Sequence, residues 1–133
     1  MTCDCICMAL DVLIVDDSQS FLDAARNLLE RQGLHVVGLV STSAEAMRRS
    51  AELHPDVVLI DIMLAGESGF ELVRQLSARD RGATALILIS THSRAEFADL
   101  IAESPAAGFV PKAELSADAI RRIVDGASGP SAR

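Results

Sequence analysis

Asp56-Val57-Val58-Leu59-Ile60-Asp61 sets four apolar residues in a row, with Pro55 before them and a carboxylate after. The run is short and largely β-branched, so it reads as a strand buried on both faces, at the centre of a parallel sheet. Three more runs share its form. Residues 10–16 contain Leu13-Ile14-Val15 and stop on Asp16-Asp17, residues 84–90 contain Leu86-Ile87-Leu88-Ile89 and stop on Ser90, and Gly108-Phe109-Val110-Pro111 leads into Lys112. Residues 34–40 supply a fifth strand. Where such strands run parallel and adjacent, their carboxyl ends gather three carboxylates, a hydroxyl and an amine.

Segments of helical period separate the strands. Residues 18–31 repeat Leu22, Ala25 and Leu28-Leu29 at helix spacing before Gly33, which ends the helix. Thr42-Ser43-Ala44-Glu45 is a capping box ahead of residues 46–53, and Ser68-Gly69-Phe70-Glu71 is another, opening a helix with Phe70, Val73 and Leu76 on one stripe. A third, Ser93-Arg94-Ala95-Glu96, starts a short helix through Ile101 that Pro105 brings to an end. Ser116 caps a last helix carrying Ile120, Ile123 and Val124, while residues 64–68 form a loop around Gly66 and Gly82 leads into the strand that ends at Ser90. Such alternation predicts an α/β sandwich of three layers, with right-handed crossovers placing helices on both faces of a five-stranded parallel sheet. Ligands of such sheets bind beyond the carboxyl ends of the strands.

The bulk properties agree with one domain. At 133 residues and 14.1 kDa the chain buries roughly two-thirds of its unfolded surface. Aromatics are only 3 %, with no Trp or Tyr, so the core is aliphatic. The net charge of -7 and pI near 4.8 oppose binding of a polyanion, so no direct nucleic-acid contact is expected of this domain. No apolar stretch approaches the roughly 18 residues of a membrane span, and a cytoplasmic location is the default expectation. Residues 1–8 are expected to be a flexible leader, 9–125 the folded domain and 126–133 a Gly/Ser/Pro-rich tail or linker stub. Cys3, Cys5 and Cys7 make a poor disulfide framework and lack the fourth ligand of a thiolate metal site. Met8 precedes the first strand directly and offers an alternative start to Met1.

The strand-end cluster has a definite charge problem. Two like charges about 4 Å apart repel by roughly 4 kcal/mol at an effective dielectric near 20, so Asp16, Asp17 and Asp61 together require compensation. Mg²⁺ suits them, since it accepts one or two carboxylates and takes its other ligands from water and phosphate oxygens. With Mg²⁺ and Lys112, three negative charges meet three positive, and a phosphoryl group can approach.

In residue type and order this cluster resembles the receiver domain of two-component response regulators, from Asp11 to Asp125. Val12-Leu13-Ile14-Val15-Asp16-Asp17 is similar to the family's acidic pair, and residues 55–69 are similar to its phosphoacceptor segment. Leu86-Ile87-Leu88-Ile89-Ser90 and Gly108-Phe109-Val110-Pro111-Lys112 match its hydroxyl and lysine positions. The resemblance implies a flavodoxin-like (βα)5 fold of strand order 2-1-3-4-5. It implies that Asp61 takes a phosphoryl group from a sensor histidine kinase or phosphotransfer protein, catalysing only its own phosphorylation and dephosphorylation. By the same resemblance, Asp17, Asp61 and the Met63 backbone carbonyl hold Mg²⁺. Asp16 acts through the metal's water shell or as a further ligand. Lys112 pairs with Asp61 before transfer and with the phosphoryl oxygens afterwards. Ser90 and Phe109 are the switch residues, and His92 overlooks the site.

Three departures from the family pattern surround the same site. Ala65 replaces a common Pro, Thr91 is bulkier than the usual small residue, and Pro111 precedes Lys112 where the family often has a Pro after the lysine, frequently in cis. The lysine's reach therefore rests on other packing. Residues 108–115 resemble receivers that precede helix-turn-helix transcriptional domains; the output partner and the cognate kinase are unknown, and a homodimer through the last two helices stays open. A phosphorylation-independent interaction module of the same fold is the alternative, opposed by the complete acidic set. A Mg²⁺ phosphohydrolase of the haloacid-dehalogenase type needs D-x-D, and Asp61-Ile62-Met63 lacks the second acid.

Overall fold

The computed structural model of the chain describes residues 10–80 and 84–128, with the side chains of 80, 127 and 128 left aside. Five strands form one parallel sheet: β1 (Asp11–Val15), β2 (His35–Val40), β3 (Val57–Asp61), β4 (Ala85–Ser90) and β5 (Gly108–Pro111), in spatial order β2-β1-β3-β4-β5. The helices are α1 (Gln19–Arg31), α2 (Ser43–Leu53), α3 (Gly69–Asp80), α4 (Ala98–Glu103) and α5 (Ala117–Ser128). This is the expected flavodoxin-like arrangement, with the all-buried β3 at its centre.

Period-two alternation divides the core. Val12, Ile14, Val57, Leu59, Ile87 and Ile89 face Leu22, Ala25 and Leu29 of α1 and Ile120 of α5. Leu13, Val15, Val58, Ile60, Leu86 and Leu88 face Ala46 of α2 and Leu72, Val73 and Leu76 of α3. At roughly 25 cal/mol per Å² of apolar area, such doubly covered strands supply most of the folding drive.

Caps set several of the boundaries. Ser18 accepts the Phe21 N–H, Thr42 Oγ1 accepts the Glu45 N–H at 3.1 Å, and Ser116 Oγ accepts the Ala119 N–H at 3.0 Å. Gly33 has φ +98°, as expected beyond a helix end. The stop of α2, by contrast, is His54 in the left-handed region at φ 48°, a backbone role that Pro55 masked in the sequence. His35 and His54 are both exposed imidazoles.

Three segments depart from expectation. Residues 63–68 are not a plain loop: Met63–Leu64 pairs antiparallel with Glu67–Ser68 around Gly66 at φ +71°. The capping box at Ser93 is not realised either. Its side chain makes no cap hydrogen bond, and Arg94–Phe97 is a 3₁₀ turn leading into α4. No residue of that turn or of α4 is fully buried; only the partly covered Phe97 and Ile101 pack against the core under α2 and α3, too narrow a stripe to impose α geometry from Ser93 onward. α5 continues to Ser128, into the stretch expected to be a tail. The leader 1–8 with Cys3, Cys5 and Cys7, the start at Met1 or Met8, the turn at Gly82 and residues 129–133 lie outside the described residues. Among the described residues, no helix is long and apolar enough to cross a membrane.

Candidate functional site

Strand order brings the polar strand ends together. Asp16 and Asp17 follow β1, Asp61 ends β3, Ser90 ends β4 and Lys112 follows β5, all at the carboxyl edge of four adjacent strands. Carboxylate oxygens of Asp16, Asp17 and Asp61 lie within 4.8 Å of one another. Asp16 is fully buried, Asp61 nearly so, and Asp17 is exposed.

Each buried acid is tied to the backbone. Asp16 Oδ1 accepts the Ser18 N–H at 2.9 Å, coupling it to the start of α1, and Asp61 Oδ1 accepts the Met63 N–H at 3.3 Å. Lys112 Nζ stands 2.6 Å from Asp16 Oδ2 and 3.5 Å from Asp61 Oδ2. The pairing expected with Asp61 is thus shared, and the shorter contact goes to Asp16. The physical reason is desolvation: Asp16 Oδ2 has no hydrogen-bond partner of good geometry among the described residues, so the ammonium settles against the charge that has lost the most water. Oxygen donors of this hardness, one carboxylate facing solvent and one buried oxygen short of partners, suit a small hard cation.

Burial pushes the Asp61 carboxyl above the usual carboxylate range and the Asp16 charge adds to the shift, while Lys112 and the Met63 amide offset part of it. The folded state therefore binds this proton more tightly than the unfolded chain. As pH rises from the ordinary 3.8 through the raised folded value, the unfolded chain releases its proton first and stability is lost. Metal-free Asp61→Asn should accordingly melt above the parent at pH 7. The gap should close as pH is lowered toward 4; equal melting temperatures at pH 7 would count against the assignment.

Ser90 and Phe109, the two residues expected to switch, are also packed. Ser90 Oγ is buried, accepts the His92 N–H at 3.0 Å and lies 3.4 Å from His92 Nδ1, so His92 does overlook the hydroxyl. Phe109 is buried, and Arg94 stacks over its ring at 5.4 Å while donating to the Phe109 carbonyl at 3.3 Å. Thr91 is exposed and lines, with Arg94 and Phe109, a cleft of about 760 Å³ beside the site.

Some contributors have no clear signal in the sequence. Glu67 Oε1 accepts the Ser43 N–H at 2.9 Å, anchoring the 63–68 ribbon to the N-terminus of α2. Phe21 places its ring under Lys112, with Nζ 4.3 Å from the centroid. Gly69 packs so close that a Cβ there would fall 2.1 Å from the Asp61 carbonyl oxygen. In the sequence Gly69 stands out only as part of a capping pattern and as the end of the segment similar to the family's phosphoacceptor stretch, neither of which signals this close approach.

Known proteins carry the same plan. The family model described as the response regulator receiver domain matches residues 12–125. The response regulator GacA of Pseudomonas viridiflava is 30% identical over 113 residues, covering 84% of this chain and 52% of that protein. The DNA-binding transcriptional activator EvgA of Escherichia coli is 28% identical over 105 residues, covering 79% of this chain and 51% of its own. The chain thus spans about half the length of the curated relatives it matches. A crystal structure of a LuxR-family two-component response regulator from Aurantimonas superposes with a TM-score of 0.80 at 32% identity, covering 89% of this chain and 86% of that one. With the parallel sheet, the acidic edge and this match in agreement, the chain belongs to the response regulator receiver domain family.

Proposed function

We propose that Asp61 is the phosphoacceptor of a two-component signalling switch. The observation that carries this reading is the grouping of Asp61 with Asp16 and Asp17 within 4.8 Å, and with Lys112 Nζ at 3.5 Å. An Asp61 carboxylate oxygen forms the O–P bond as the P–N bond of a phosphohistidine breaks; the departing imidazole keeps that electron pair and takes a proton from solvent. Asp17, Asp61 and the Met63 carbonyl would hold Mg²⁺, with Asp16 beside it. Bound there, the cation supplies neutralisation of the phosphoryl oxygens. Lys112 then has reason to leave Asp16 for the new phosphoryl charge, and Ser90 turns its hydroxyl from His92 toward it. Phe109, one residue before Val110 on the neighbouring strand, follows that movement.

The donor is a sensor histidine kinase or phosphotransfer protein in the cytoplasm, and the domain catalyses only its own phosphorylation and dephosphorylation. Similarity to EvgA, named as a DNA-binding transcriptional activator, supports a role as the receiver part of a transcriptional regulator. The charge of -7 argues against DNA contacts by this domain itself. Labelling by a small phosphodonor tests the reading: uptake of one phosphoryl group should require Mg²⁺ and vanish on chelation. Labelling that is indifferent to chelation would overturn it.

Met63 bears on how long the signal lasts. Its side chain is 55% exposed beside Asp61 and has no group to orient an attacking water. Slow self-dephosphorylation is expected, and Met63→Asn should accelerate decay of the labelled protein several-fold. An unchanged decay rate would remove that role from the side chain.

A further inference from the structure

Lys112 lacks the local constraint that a following proline would give it. Ala113 follows it, Pro111 precedes it, and no cis peptide bond occurs among the described residues. Yet its ammonium is placed closely, touching Asp16, Asp61 and the face of Phe21. Two of these partners change in the proposed reaction: Asp61 becomes an acyl phosphate, and Asp16 comes under the pull of a cation. The ring does not change. A phenyl face within about 6 Å attracts an ammonium through its quadrupole, whatever the charge of the neighbouring carboxylates.

Phe21 is itself well anchored. Its N–H donates to Ser18 Oγ at 3.4 Å, and the Ser18 N–H donates to Asp16 Oδ1 at 2.9 Å, so one turn of chain presents both the acid and the ring. The ring also packs against the core cluster under α1 and α5. We propose that Phe21 is a positioning residue that keeps the Lys112 ammonium within reach of Asp61 throughout phosphoryl transfer. This rests on the reading of Asp61 as phosphoacceptor. An ordinary packing role for Phe21 is the competing account, and the two differ in what the ring face does for the lysine.

Three variants separate them. Phe21→Leu keeps apolar bulk and removes the π face, Phe21→Tyr keeps the face, and Phe21→Met serves where Leu fails to fold. With saturating Mg²⁺ and a small phosphodonor, the Leu or Met variant should label about three- to tenfold more slowly, and Tyr should restore the rate to within about twofold. Proton NMR of Lys112 gives an independent readout. Its ε-methylene protons should be shifted upfield by the ring in the parent and the Tyr variant, and should return to ordinary lysine positions in the Leu or Met variant. Parent-like labelling by the Leu or Met variant, equal slowing by Tyr, or unshifted ε protons in the parent would each overturn the proposal. Should the parent take no label at all, the phosphoacceptor reading fails, and the positioning role stands or falls on the Lys112 shifts alone.

Discussion

Gly69→Ala should destabilise the domain by about 2–4 kcal/mol, a fall in melting temperature of roughly 10 °C, and should abolish phosphoryl labelling. The added Cβ would lie 2.1 Å from the Asp61 carbonyl oxygen, 2.9 Å from the Asp61 carbonyl carbon and 2.9 Å from Ile62 Cα. All three are backbone atoms, so no rotamer change relieves the clash. The same glycine donates its N–H to the Ile62 carbonyl at 2.8 Å, closing α3 onto the end of β3. Relief must therefore come from a backbone shift that separates the start of α3 from the Asp61–Ile62 peptide, which disturbs the support of Asp61. Gly66→Ala is the control: no atom lies within 4 Å of its Cβ, and its φ of +71° costs only local strain of about 1–2 kcal/mol. Denaturant unfolding of both variants checks the contrast; equal losses would mean that the close approach to Asp61 is not the cause.

Lys112→Met should cost about 2–4 kcal/mol in metal-free buffer at pH 7, because removing one partner of a buried pair strands the other. The stranded group is Asp16, fully buried, whose Oδ2 stands 2.6 Å from the ammonium. Without Lys112 the carboxylates at this edge have only protons or a cation to relieve them. The deficit should therefore shrink as pH falls and carboxyls protonate, and Mg²⁺ should recover more stability in the variant than in the parent. Melting curves across pH, with and without Mg²⁺, measure both effects. A variant as stable as the parent in metal-free buffer at pH 7 would show that Lys112 does not neutralise Asp16.

Much of this was legible because the signals were strong and local. The apolar runs ending on Asp16, Asp61 and Ser90 marked buried strands, and burial on both faces demanded helices on both sides. Strand order came with the family resemblance, since periodicity cannot say which strands are neighbours. The distances within the site were not legible: nothing in the spacing shows Lys112 nearer Asp16 than Asp61, because desolvation decides that in three dimensions. Phe21 looked like any apolar residue in α1, and only the fold places its ring beneath an ammonium. The Ser93 box misled for the opposite reason. Its residue pattern was correct, but the segment sets only the partly buried Phe97 and Ile101 against the core, and its first turn gains too little from that packing to be α-helical.

The account turns on Asp61 as the acceptor, and the direct measurement is the position of the phosphoryl group. After labelling with a small phosphodonor and Mg²⁺, borohydride trapping reduces an aspartyl phosphate to homoserine, and tandem mass spectrometry of the tryptic peptide 50–74 reads where it formed. That peptide also contains Asp56, which bonds the Asp11 N–H at 2.8 Å at the opposite edge of the sheet and serves as an internal control. Conversion at Asp61 alone, absent without Mg²⁺, is the predicted result. Conversion at Asp56 or elsewhere, or none in protein shown to be folded, would contradict it.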